Sequence, residues 1–170
     1  DVGARLVVDA ACSLGATRDD RRCGAHGNMG CFSFHPRKVV TCGEGGMVTT
    51  DDHDLAERLR LLRNHGAVKK STPGLEFVEP GFNYRLSEIP AVLGLSQMRR
   101  IDQILLDRRS TARRYDGALS QVPGVSVHQT PPCTTWSYQS YVVVIDSGLN
   151  RDAVIAKMAE AGIETTIGTY

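Results

Sequence analysis

The chain alternates short apolar runs with segments of helical periodicity. "RLVVDAA" is an apolar run ending in an acid, which predicts a buried parallel strand with a polar group at its C-terminal edge. Residues 15–30, rich in Gly, Asp and Arg, read as loop. In "CFSFH" the positions alternate, with Phe32 and Phe34 on one face and Ser33 and His35 on the other, so a second strand is expected. The Gly43–Gly46 loop follows, and "GMVTT" resumes a strand.

"DDHDLAERLRLLRNHG" predicts a helix with clear punctuation. Asp51 or Asp52 can cap it, Leu55, Leu59 and Leu62 form its apolar stripe, and Gly66 can end it. Residues 67–86 read as an irregular connection. Ser87 is placed to cap a long helical region with Pro90 in its first turn. Ile89, Val92, Leu93, Ile101, Leu105, Ala112, Tyr115 and Leu119 recur at helical spacing, with a bend or break expected near Asp102–Asp107. "TPPCTT" marks a linker. "YQSYVVVID" then predicts a strand, Arg151–Ala161 a helix, and "GIETT" the start of another strand. This alternation implies a layered α/β fold, and its change after about residue 105 implies a second, smaller domain.

Composition narrows the function. Twenty basic residues against nineteen acidic ones leave +1, with no footprint for nucleic acid or a membrane surface. No apolar run approaches the roughly 20 residues that cross a bilayer. Of the five cysteines (Cys12, Cys23, Cys31, Cys42 and Cys133), none forms a Cys-x-x-Cys pair, so reduced thiols in a cytoplasmic protein are expected. Cys31, Cys42, His26 and His35 lack the spacing of metal ligands, and no metal is expected. The chain opens at Asp1 without a methionine and stops at Tyr170; both ends read as cut from something longer.

The candidate chemistry centres on Lys38, which lies between a proline and a glycine-dense turn in "CFSFHPRKVVTCGEGGMVTT". A lysine with a fixed direction can act as a nucleophile and hold an aldehyde cofactor as a Schiff base. Such a cofactor needs a carboxylate to keep its pyridine nitrogen protonated, and Asp9 ends a buried strand. Ser33, five residues before Lys38, can donate a hydroxyl to a phosphate. Taken singly, such an aspartate is more often a turn former, such a serine packing, and such a lysine a solvated charge. The residues alone support an α/β enzyme and no more.

"VVDAACSLGA", "GCFSFHPRKVVTCGEGGMVTTDD", "LAERLRLLRNHG" and "GFNYRLSEIPAVLGLSQMRRID" occur in this order. Together they closely resemble the DegT/DnrJ/EryC1/StrS family of aminotransferases, firmly over residues 6–122 and more loosely beyond. The resemblance implies the pyridoxal-phosphate-dependent transferase fold of type I. Residues 1–105 would be the C-terminal part of the large cofactor-binding domain, and residues 106–170 an incomplete small domain. It implies pyridoxal 5'-phosphate as cofactor and transfer of an amino group, from glutamate, to a keto group of a nucleotide-linked sugar. A cyclitol or other ring ketone is the alternative acceptor, and a non-catalytic relative the alternative class.

By the same resemblance, Lys38 is the Schiff-base lysine that also shuttles the substrate proton. Asp9 partners the pyridine nitrogen, Ser33 binds the phosphate, and Ala11 lies against the ring. Asn83 reaches the phosphate of the neighbouring subunit, which implies a homodimer with shared sites, and Arg85 lies toward the substrate. Relatives that dehydrate sugars carry histidine where this chain has Lys38, so transamination is the expected reaction. Cys12 departs from the Gln or His of many members at a position facing the cofactor's phenolic oxygen, where a thiol is a weaker partner. That change is expected to be tolerated. The family's N-terminal half supplies a Gly-Ser/Thr phosphate grip and a stacking aromatic, so the 170 residues alone are expected to bind cofactor poorly and not to turn over.

Overall fold

The computed structural model describes residues 3–70 and 73–168. The chain begins with β1 (Val7–Asp9), passes through β2 (Thr17–Arg18) and β3 (Arg21–Arg22), and continues into β4 (Met29–Ser33) and β5 (Gly46–Thr49). β1 runs parallel to β4, with Asp9 opposite Cys31, and β5 lies antiparallel on the other side of β4, with Ser33 opposite Gly46. The apolar run and the alternating run are therefore neighbouring strands. Because side chains alternate along a strand, Asp9, Cys31 and Ser33 share one face of this sheet. Both strands deliver their C-terminal ends to the same edge.

The segment expected to be loop, residues 15–30, instead contains the β2–β3 hairpin, with Thr17 opposite Arg22. It then crosses β4 tightly. A Cβ on Gly30 would enter the backbone of Gly24, which itself has φ +91°. Only glycine allows this backbone-on-backbone contact. Gly30→Ala is expected to cost about 2 kcal/mol, because no flexible side chain is there to move aside. A urea midpoint unchanged from wild type would contradict this.

α1 (His53–Leu62) forms where its stripe predicts, and Asp52 is the cap: its Oδ1 accepts the Leu55 N–H at 3.0 Å. Leu55, Leu59 and Leu62 are half-buried, and Gly66 takes φ +67° just beyond the end. The connection expected to be irregular contains a short antiparallel hairpin, β6 (Ala67–Lys69) and β7 (Leu75–Phe77), around residues 71–72, which lie outside the described residues. Ser87 precedes α2 (Glu88–Met98) at the cap position, but its side chain makes no capping bond.

The helical region breaks at Arg99–Arg100 rather than near Asp102–Asp107. Arg100 leaves helical geometry at φ −113°, ψ 13°, and α3 (Ile101–Leu119) then runs unbroken past residue 105. Burial of Leu105 and the Gln103–Asp107 side-chain bond at 2.8 Å hold the expected break straight. Of the apolar positions at helical spacing, Leu105 and Ala112 are buried, whereas Ile89, Val92 and Leu93 are exposed.

Beyond α3, β8 (Val125–Val127) was not anticipated by the apolar pattern, and the linker "TPPCTT" contains β9 (Thr134–Thr135). β9 folds back onto β2, with Thr17 opposite Thr135. The strand expected in "YQSYVVVID" is limited to β10 (Val143–Ile145), antiparallel to β8. α4 (Arg151–Glu160) is capped by Asn150, whose Oδ1 accepts the Ala153 N–H at 3.0 Å. "GIETT" forms no strand. The core sits where the loop after β4 meets α3: Val39, Val40 and Leu105, packed with Leu14, Phe34, Ile101 and Ile104.

Tyr141 donates to Asp116 of α3 at 2.7 Å, and its ring lies 5.0 Å from that of Tyr115. Burial, and then the bond to Asp116, push its phenol above the usual value. A raised acid stabilises the fold fully below its unfolded value of about 10 and loses that contribution as pH rises through the folded value. Between about pH 9 and pH 12, wild type is therefore expected to lose more stability than Tyr141→Phe. Parallel pH profiles of the two denaturation midpoints would contradict it.

Candidate active site

The geometry around Lys38 starts from Phe34, the first residue beyond β4. Its N–H donates to Gly45 O at 2.8 Å, and its carbonyl accepts from Cys42 N at 3.1 Å and Thr41 Oγ1 at 3.0 Å. Residues 34–45 are thus a loop closed at the neck. Inside it, Lys38 N donates to His35 O at 2.9 Å, closing a turn over Pro36 and Arg37. Val39 and Val40, 6% and 0% exposed, then enter the core.

From α2, Gln97 grips the backbone of Thr41 in both directions: Oε1 accepts the Thr41 N–H at 3.2 Å and Nε2 donates to its carbonyl. The glycines close the loop. Gly43 takes φ +87°, and a Cβ on Gly46 would lie 2.8 Å from Phe32 O. Pro36 and the glycines bound the loop, but the two valines and Gln97 carry as much of the anchoring of Lys38. "KVV" shows that anchor locally, whereas Gln97, 56 residues from Thr41, leaves no local signal.

Lys38 Nζ donates to Cys12 Sγ at 3.0 Å. Cys12 lies in the turn after β1, where Asp9 Oδ1 accepts the Ala11 N–H at 3.0 Å and Ser13 N donates to Ala10 O at 3.0 Å. Ser33 Oγ, at the end of β4, accepts the His35 N–H at 3.3 Å. Asp9, Ala11, Cys12, Ser33 and Lys38 all lie at the C-terminal edge of the parallel pair.

Asn83 and Arg85 lie elsewhere. Asn83 forms a bridge with Asn64, whose Oδ1 accepts from Arg85 Nη1 at 2.6 Å. Phe82 and Tyr84 stack at 5.0 Å and are 61% and 72% exposed. Among the described residues, no hydrogen bond joins Asn83 or Arg85 to the Lys38 cluster.

Sequence reasoning missed the second wall of the site. Gln139 Nε2 donates to Cys12 Sγ at 3.5 Å from 127 residues away. Its segment is tied down by two consecutive arginines of α3. Arg108 Nη1 reaches Tyr138 O at 2.9 Å and Gln139 O at 3.2 Å, and Arg109 joins Trp136 O at 2.9 Å to Gly15 O at 3.1 Å. Between the two walls lies an open cleft of about 380 Å³ with Cys12 on its lining.

All five cysteines are free thiols, and burial raises the Cys42 thiol above its usual range, with Glu44 adding to the effect. Among the described residues, no three His, Cys, Asp or Glu side chains are gathered as for a metal, and no helix is long and apolar enough to cross a membrane.

Known proteins match this arrangement. The model of the DegT/DnrJ/EryC1/StrS aminotransferase family matches residues 1–169. The aminotransferase TlmJ from Streptoalloteichus hindustanus is 34% identical with a TM-score of 0.88, over 97% of this chain and 44% of that one. A DegT DnrJ EryC1 StrS aminotransferase from Brucella abortus is 34% identical with a TM-score of 0.86, over 97% and 42%. A Streptococcus pneumoniae protein named as a sugar aminotransferase, solved in its PLP form, is 27% identical with a TM-score of 0.85, over 96% and 43%. The chain spans less than half the length of these structures.

The donor set fits pyridoxal phosphate: an amine for its aldehyde, a carboxylate for its ring nitrogen and a hydroxyl for its phosphate, all at one sheet edge. The mixed α/β architecture is a part of the fold of the pyridoxal-phosphate-dependent aminotransferases. Matched over residues 1–169, the chain belongs to the DegT/DnrJ/EryC1/StrS aminotransferase family, whose enzymes use that cofactor.

Proposed function

We propose that the chain is part of an aminotransferase that moves an amino group from glutamate to the keto group of a nucleotide-linked sugar. The observation that carries this reading is the Lys38 amine, held beside the C-terminal edge of β1 and β4 by two buried valines. Bound there, pyridoxal phosphate supplies an aldehyde carbon and an electron-withdrawing ring. Lys38 Nζ would be the amine that holds the aldehyde, and as a free amine it would carry the proton to and from the substrate carbon. The Asp9 carboxylate would keep a proton on the ring nitrogen. Ser33 Oγ would donate to the phosphate, and Ala11 would lie against the ring. With the Lys38 amine free, Cys12 Sγ accepts from its Nζ, and with the cofactor bound it would face the phenolic oxygen.

Asn83 and Arg85 belong to the same reading through a second copy of the chain. Asn83 reaches the partner's phosphate and Arg85 its substrate, so the working unit is a cytoplasmic homodimer. Their separation from Lys38 within one chain, together with exposed Phe82 and Tyr84, supports that arrangement. Residues 1–105 belong to a large domain and 106–170 to a small one, with α3 running from the first into the second.

The test uses the full-length protein. Incubated with pyridoxal phosphate it should turn yellow, bleach on addition of glutamate, and regain colour when a nucleotide-linked keto sugar is added. A protein that colours and bleaches but never recovers with any such sugar would leave the acceptor wrong. One that never colours would overturn the reading.

A further inference from the structure

We propose that the cleft beside Cys12 seats the acceptor's sugar ring, with Trp136 as the face it packs against and Arg18 as the cation for its phosphate. This deepens the aminotransferase reading and rests on it. Cys12 lines the cleft and also accepts from Lys38 Nζ at 3.0 Å, so one shared side chain separates the cleft from the nitrogen that does the chemistry. A volume of about 380 Å³ falls at the lower end of small-ligand sites, enough for one ring with a phosphate at its mouth.

The lining matches a pyranose in kind. A sugar ring presents C–H groups on its faces and hydroxyls around its rim. It therefore needs an aromatic plane flanked by short polar side chains. Trp136 supplies the plane, set edge-on to Tyr138 at 5.8 Å and against His128 at 4.5 Å. Ser13, Thr17, Thr134 and Gln139 supply hydroxyls and an amide around it.

Arg18 is the one ionised side chain among the lining residues. It pairs only loosely with Asp19, at 3.6 Å with the guanidinium side chain 74% exposed, so its planar fork remains open to a phosphate. The walls are built rather than incidental. β9 pairs with β2 on one side, Arg109 joins Trp136 O to Gly15 O across the cleft, and Ser137 beneath is 3% exposed. A rigid aromatic plane needs this kind of support to select one ring orientation.

The experiment is calorimetric titration of the full-length, cofactor-loaded protein with UDP-, dTDP- and GDP-glucose, which lack a keto group and bind without reacting, and with the matching nucleoside diphosphates. Wild type should bind at least one of the three sugars. Trp136→Leu should weaken that sugar nucleotide about tenfold and leave the free diphosphate unchanged, with Trp136→Phe restoring most of the loss. Arg18→Gln should weaken both ligands about tenfold.

Cofactor colour is read in parallel. Unchanged sugar-nucleotide binding in Trp136→Leu, with colour intact, overturns the cleft assignment alone. Equal weakening of sugar nucleotide and diphosphate by Trp136→Leu overturns it too, as does a wild type that colours but binds none of the sugars. Absence of colour in wild type overturns the aminotransferase reading beneath it.

Discussion

Replacing Lys38 with alanine in the full-length protein should lower transamination on the order of 10⁴-fold, while the fold is kept. Two roles are lost together, the amine that holds the cofactor aldehyde and the base that moves the substrate proton. Neither Cys12 nor Gln139 can replace a primary amine in the first role. The fold should survive because, among the described residues, the Lys38 side chain bonds only to the Cys12 thiol. Its backbone bond to His35 O is kept by alanine, and Val39 and Val40 still anchor the loop. The stability change should therefore stay within about 0.5 kcal/mol, as for surface substitutions in general. Borohydride reduction of the loaded wild-type protein, digestion and mass spectrometry should place the label on the peptide containing Lys38. Label scattered over surface lysines, or a Lys38→Ala protein that still turns over, would sink the assignment.

How much of this was legible beforehand follows from length and distance along the chain. β4, β5, α1 and α4 carry enough consecutive positions for a period to show, β1 lies inside the longer apolar run "RLVVDAA", and all five form close to where the pattern places them. β2, β3 and β9 are two residues each, and β6 and β7 are three. An alternation of period 2 has no room to declare itself there, and those strands exist because a partner strand satisfies their backbone groups. The α2–α3 break was misplaced for a different reason. Arg99 and Arg100 are good helix formers, and no glycine or proline marks the spot.

The site shows the same division. Residue types made Lys38, Asp9 and Ser33 candidates, and the ordered motifs that resemble the aminotransferase family gave them their expected roles. The groups that hold them could not be read locally. Gln97, Arg109 and Gln139 act across 56, 94 and 127 residues, and such contacts leave no spacing in the sequence.

The largest effect on stability is expected at Leu105, in the core beneath the loop that carries Lys38. Leu105 is 3% exposed and forms the buried core with Val39 and Val40. It also covers Gly15, where a Cβ would overlap the leucine's own methyl groups. Leu105→Ala removes a side chain that packs against both the loop carrying Lys38 and Gly15 in the turn beyond Cys12. The lost transfer energy and the cavity together should cost about 3 kcal/mol. At about 2–4 °C per kcal/mol for a protein of this size or larger, Tm should fall by roughly 6–12 °C. Leu106, next in sequence and 53% exposed, is the control, and Leu106→Ala should stay within about 0.5 kcal/mol. Loss of packing under both loops should also loosen the Lys38–Cys12 contact, so cofactor affinity should fall in the leucine variant at temperatures where it remains folded. Equal midpoints for the two alanine variants in urea would show that α3 does not hold the site from below.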